Sequence, residues 1–197
     1  MTLPANHPSE PSVRHLLQTG LGPVSIHWNS AGLITCVGLI ENKPVPEPVQ
    51  SHPEPVQLRL PLRGSIMDLI AKIEAYFLCG APIGELPWEL IDEESLTPFQ
   101  QKVYRATAEI PHGETRTYGW LAVKIGAPAA TRAVGQSLRR NPIPILVPCH
   151  RVVSSHSIGG FMGEEDPTCR EIGLKTRLLE LEDRFRNPVF SFLRVAG

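Results

Sequence analysis

Cysteine is scarce. There are four in 197 residues, Cys36, Cys79, Cys149 and Cys169, and no two have C-x-x-C spacing. That excludes a zinc ribbon and argues against a disulfide framework. No apolar run approaches the roughly 20 residues of a membrane-spanning helix, so no membrane partner is expected. The opening residues, with Pro4, His7 and Pro8, lack the basic and apolar zones of a secretory signal, which predicts a reducing intracellular compartment. No glycine-rich nucleotide loop and no S-adenosylmethionine-type motif stands out, so no cofactor and no resident metal are expected. Net charge is also lacking, at -1. Its distribution is uneven. Residues 101–150 carry seven bases against two acids, and residues 41–100 carry ten acids against four bases. A basic segment in a neutral chain suggests a local anionic partner; the plain alternative is a solvated charged face.

What is present reads as two parts. Residues 1–20 are expected as a loose N-terminal extension, with a short helical stretch at Ser12 to Gln18. Pro23 to Trp28 and Leu33 to Ile40 alternate as strands around the turn Asn29-Ser30-Ala31-Gly32, a hairpin. Cys36, inside the second strand, is expected in the core. Five prolines between Pro44 and Pro55 forbid regular structure in the 41–57 region. Leu58 to Leu62 could be a third strand, and Ser65 is the expected cap of a helix running to Leu78. Residues 81–95, with Pro82, Gly84 and Pro87, read as a linker. The divisions are thus 1–20, an α/β domain at 21–90, a second domain at 91–183 and a tail at 184–197 that packs on the body.

The second domain opens on a strong signal. Thr97-Pro98-Phe99-Gln100 has the form of a capping box with proline at the first helical position. Thr117 caps a short helix, Tyr118 to Lys124. A turn at Ile125 to Pro128 leads into Ala130 to Arg139, giving a helix-turn-helix. The second helix carries Arg132, Arg139 and Arg140, with Ala133, Gly135 and Ser137 between them. Small residues allow close approach to a backbone, and arginines neutralise phosphates. Asn141-Pro142 breaks the helix, and Ile143-Pro-Ile-Leu-Val-Pro-Cys-His-Arg-Val-Val153 follows. Cys149 has His150 and Arg151 as neighbours, both of which favour a thiolate, the nucleophilic form. A last helix is expected from Asp166 or Thr168 to Asp183.

The run from Pro98 onward resembles the O6-alkylguanine-DNA alkyltransferases. The resemblance is carried by Phe99-Gln100-x-x-Val103-Tyr104, Ile110-Pro111-x-Gly113, Thr117-Tyr118-Gly119-x-Leu121-Ala122, Arg132-Ala133-Val134-Gly135, Asn141-Pro142, Pro148-Cys149-His150-Arg151-Val152-Val153 and Leu178-Leu179-x-x-Glu182. It spans roughly residues 20–183 and is most specific from 98 to 153. It implies an α+β fold: a small N-terminal antiparallel-sheet domain of ribonuclease H-like layout, and a mainly helical C-terminal domain. It implies that Cys149 accepts an alkyl group from O6-alkylguanine in double-stranded DNA, once per chain, after minor-groove binding and nucleotide flipping. His150 would be the base, Glu182 its orienter, Asn141 the brace of the turn and Tyr118 the phenol that polarises the purine. Arg132 would fill the gap in the stack, with Ala133, Gly135, Ser137, Arg139 and Arg151 also on DNA. Val152, Met162 and Pro144 would line the base pocket. The protein would be monomeric, with cooperative assembly on DNA and O4-alkylthymine repair left open, and would work in the cytoplasm of a prokaryote or the nucleus of a eukaryote. The family's Tyr-Ser-Gly-Gly-like lid reads Phe161-Met162-Gly163-Glu164 here, and acids follow.

Four rival readings exist. A metal site of Cys149, His150, His156 and Cys169 suffers from adjacent ligands that cannot easily share one ion. A cysteine protease using His112 or His27 leaves the arginine-rich helix unexplained. A lesion-binding protein or a sequence-specific regulator on the same scaffold leaves Cys149 unexplained.

Overall fold

The computed structural model describes residues 13–39, 60–166 and 168–187. The expected N-terminal extension through Ser12, the whole Pro-rich 41–57 region and the tail beyond Asn187 lie outside them. Three antiparallel strands, β1 (Val13–Thr19), β2 (Gly22–Trp28) and β3 (Ile34–Leu39), form a sheet in the order β1-β2-β3. The β2–β3 hairpin follows the sequence pattern, with Val24, Ile26, Trp28, Ile34, Val37 and Leu39 buried. Residues 13–19 do not form the expected helical extension. They are the edge strand, with Leu17 opposite Val24 and His15 opposite Ile26. Cross-strand packing outweighs their weak local helical pattern. Cys36 sits opposite His27 and is half-buried rather than in the core.

Helix α1 spans Leu60–Cys79. It begins five residues before Ser65, so Leu60 to Leu62 are helical rather than a third strand. Pro61 falls in the first turn, where a missing N–H costs nothing. Ile66, Leu69, Ile70, Ile73, Tyr76 and Phe77 form its buried face, at the spacing the sequence shows. Gly80 ends it at φ +78, and a Cβ there would lie 2.5 Å from the Leu181 carbonyl oxygen. The expected linker is a packed strap. Leu86, Leu90, Ile91 and Leu96 are buried, and the Asp92 N–H donates to the Ile34 carbonyl at 3.0 Å.

Helix α2 (Pro98–Ala108) has the expected capping box: Thr97 accepts from the Gln100 N–H and Gln100 accepts from the Thr97 N–H. Strand β4 (Arg116–Thr117) leads into α3 (Tyr118–Lys124), capped by Thr117, then a 3-10 turn and α4 (Thr131–Arg139). Strand β5 (Val152–Val153) pairs parallel with β4. Helix α5 (Arg170–Arg186) starts later and runs further than the sequence pattern suggests, capped by the Cys169 sulfur. One apolar core runs from the sheet through α1 to α2–α5. The fold is the expected one: an N-terminal antiparallel sheet and a helical C-terminal half with a helix-turn-helix.

Candidate active site

The nucleophile turn is irregular backbone held by one amide. The Asn141 Nδ2 donates to the Val147 carbonyl at 2.9 Å, and its Oδ1 accepts from the Ile143 N–H at 3.1 Å. Ile145 within the turn is held at φ +75. The strain is carried by these bonds and by close packing, since every residue from Ile143 to Val152 is buried. Residues 149–151 form a 3-10 turn, so three consecutive side chains leave in three directions.

Cys149 is 6 % exposed. Burial pushes its thiol up, and a hydrogen bond to Asn141 and the charge of Lys175 pull it back down. The resting sulfur is therefore a thiol that needs a base. His150, fully buried, supplies one. Its Nε2 lies 2.8 Å from Glu182 Oε1, so Nε2–H donates to the carboxylate and Nδ1 carries the lone pair. Nδ1 has no hydrogen-bond partner among the described residues. Burial lowers the His150 pKa, against the upward pull of Glu182, and keeps the ring neutral at rest.

Glu182 is the anchor. Burial alone would raise its pKa, but the hydrogen bonds and charges of His150 and Arg151 hold it well below the usual carboxylate range. Oε1 also accepts from the Tyr76 phenol at 2.9 Å and Arg151 Nη2 at 2.9 Å. Oε2 accepts from the Gly113 N–H at 2.9 Å and Arg151 Nε at 3.0 Å.

Arg151 thus departs from expectation. Its guanidinium is buried, clamps Glu182 and donates through Nη1 to the Ile110 carbonyl at 2.8 Å. It points inward, to Glu182 and the Ile110 carbonyl, rather than out to the surface expected of a DNA contact. The cation that serves Cys149 is Lys175, which the sequence reading missed. Lys175 is fully buried, and its Nζ donates to the carbonyls of Val152 (2.6 Å), Ile158 (2.6 Å) and Gly160 (3.0 Å). Burial pushes its pKa down to about 8. Its place on the apolar stripe Ile172, Lys175, Leu178 was the available signal. Tyr76, also missed, had a similar one: a phenol on an apolar helix face needs a partner.

A cleft of about 600 Å³ opens over the sulfur, walled by Tyr118, Arg132, Gly135, Arg139, Cys149 and Met162, with Glu164 and Glu165 at its edge. Tyr118 donates to the Gly160 carbonyl at 3.2 Å, and burial pushes its pKa up to about 12, so the phenol keeps its proton. Met162 (φ +50) and Gly163 (φ +95) form the tip of a tight turn closed by the Phe161 and Glu164 backbones. Arg132, Ala133 and Arg139 are exposed on α4. Ser137 is not: it is buried, and its carbonyl accepts from Tyr104 at 2.8 Å. A helix shows only one face to the outside, and Ser137 is on the other. Val152 and Pro144 are likewise buried and lie off the cleft wall, with the Val152 carbonyl already taken by Lys175. Met162 does line it.

Residues 98–184 match the family model of the 6-O-methylguanine DNA methyltransferase DNA-binding domain. The chain is 36% identical over 169 residues to the methylated-DNA–protein-cysteine methyltransferase of Mycobacterium bovis, covering 84% of this chain and 89% of the relative. It is 42% identical over 125 residues to that of Mycobacterium leprae, covering 62% and 68%. Among solved structures, the Mycobacterium tuberculosis O6-methylguanine methyltransferase superposes with a TM-score of 0.62 at 28% identity, over 92% of this chain and 99% of that one. A structure of the M. tuberculosis protein in complex with DNA gives 0.62 at 30% identity, over 86% and 92%. The chain therefore belongs to the methylated-DNA–protein-cysteine methyltransferases, DNA repair enzymes that move the methyl group of O6-methylguanine onto a cysteine of their own.

Proposed function

We propose that Cys149 is that cysteine, and that the reaction runs once per chain on O6-alkylguanine in double-stranded DNA. The observation that carries the assignment is the sulfur at the floor of the cleft, between Tyr118 and α4, with the buried His150–Glu182 pair behind it. Residues 91–183 do the binding and the chemistry, and the N-terminal α/β domain at 21–90 supports them. The α4 face lies along the minor groove, with Arg139 on phosphate and Ala133 and Gly135 allowing close approach. Arg132 fills the space left by the flipped nucleotide, whose extrusion costs a few kcal/mol. O4-alkylthymine fits the same chemistry.

His150 Nδ1 takes the thiol proton through one water, and the thiolate attacks the alkyl carbon in line. The S–C bond forms as the C–O6 bond breaks, and that electron pair stays on the purine. Tyr118, held protonated, turns its O–H from the Gly160 carbonyl, which Lys175 still holds, toward the ring as its charge builds. The net result is a thioether on the protein and the thiol proton on the restored guanine. No step uses a cofactor, and no group nearby cleaves a thioether.

The test is the mass of the protein after reaction with an O6-methylguanine duplex. The peptide bearing Cys149 gains about 14 daltons, one methylene, at one equivalent per chain. Cys149→Ala still binds the duplex and gains nothing. An unchanged mass for the unsubstituted protein rejects the assignment.

A further inference from the structure

Tyr76 lies on α1 in the N-terminal half, 106 residues from Glu182 in sequence, and its ring is 1 % exposed. Its phenol donates to Glu182 Oε1 at 2.9 Å and lies 3.2 Å from His150 Nε2. We infer that Tyr76 is a positioning residue for the transfer step, holding Glu182 so that His150 keeps its proton on Nε2 and offers Nδ1 to the thiol. The inference rests on Cys149 as acceptor and on His150 as its base.

The oxygen it holds is crowded by design of the packing. Oε1 faces three donors at once: the phenol, the imidazole and a guanidinium. Each donor that shares the carboxylate's charge leaves less for the others. The phenol therefore limits how strongly Glu182 can pull a proton onto His150. Burial and the adjacent carboxylate keep Tyr76 protonated at any working pH, so it acts only as a donor to Glu182. Its ring packs edge-on against Phe77 (centroids 5.3 Å apart) and His112 (6.4 Å), with the hydroxyl turned to the His150–Glu182 pair.

The titratable and charged groups around this centre come from every packed element. They are Tyr76 on α1, His112 after α2, Cys149 and Arg151 on the nucleophile turn, and Lys175 and Glu182 on α5. Of these, Tyr76 alone is a neutral donor that contacts both members of the His150–Glu182 pair. Tyr76→Phe keeps the ring and removes that donor. More of the Glu182 charge then falls on His150, the imidazolium is stabilised, and the ring becomes more basic.

The experiment follows the rate against pH for the full chain with an O6-methylguanine duplex. In parallel, iodoacetamide labelling of the Cys149 peptide is followed without DNA. In Tyr76→Phe, the acid limb of both profiles moves up by about one pH unit, and transfer on that limb slows about tenfold. Phe77→Leu is the control for packing: it lowers the melting temperature and leaves the limb in place. A Tyr76→Phe limb that coincides with the unsubstituted protein's, or moves down, overturns the inference and makes the phenol a packing residue. Failure of the acceptor assignment is read separately, as an unsubstituted protein that leaves Cys149 unalkylated.

Discussion

At the scale of single residues, the site depends on one cation that has no carboxylate partner. The Lys175 ammonium is bonded to three carbonyls and sits nearest in charge terms to Cys149. Lys175→Met keeps the stem and removes both roles. It removes the ammonium from the Val152 and Ile158 carbonyls, while Gly160 keeps Tyr118, which costs about 1–3 kcal/mol, read as a lower denaturant midpoint. It also removes the charge that favours the thiolate, so iodoacetamide labelling of Cys149 at pH 7.5 slows about tenfold. A labelling rate equal to the unsubstituted protein's shows that the charge does not reach the sulfur. The same scale shows where sequence adjacency misleads. Cys149, His150 and Arg151 are neighbours in the chain, but the 3-10 turn sends Arg151 to Glu182 and away from the thiol. Residue identities were legible; their directions depend on a turn whose geometry is set by Asn141 and distant packing.

At the scale of elements, the helices with local signals were legible, and those defined by partners were not. The Thr97 and Thr117 caps act within one turn of chain, so α2 and α3 begin where the sequence says. Strand β1 exists because β2 lies beside it, and no local pattern encodes that neighbour. Helix α4 carries the prediction proper to this scale. With Arg132 exposed on it at the cleft wall, Arg132→Ala slows repair of duplex O6-methylguanine about a hundredfold and leaves attack on the free modified base nearly unchanged. Equal losses on both substrates place Arg132 in the base pocket instead of the DNA stack. The lid turn is coupled to the same helix. A Cβ on Gly163 would lie 2.9 Å from Arg139 Nε and would be strained at φ +95.

At the scale of the whole molecule, the buried His150 and the half-buried His112 link stability to pH. His150 and His112 both have pKa values lowered from 6.5, chiefly by burial. The unfolded chain therefore binds more protons than the folded one once the pH falls below 6.5, and stability falls with it. Glu182, lowered from 4.5, adds a second loss that sets in as the pH falls below 4.5 and is complete only at its depressed folded value. Melting curves at pH 7.5 and 5.5 show the midpoint dropping with acidification. A midpoint that holds or rises means that neither ring is kept neutral by the fold.

The donors that satisfy Glu182 are drawn from α1, from the glycine after α2 and from the nucleophile turn. Those lengths of chain meet nowhere until the molecule is finished. A half-assembled chain therefore carries a cysteine of ordinary reactivity, without the base that the repair reaction needs. A protein that can spend its cysteine only once is shielded from wasting it by the finished fold, whose burial keeps the resting sulfur a thiol.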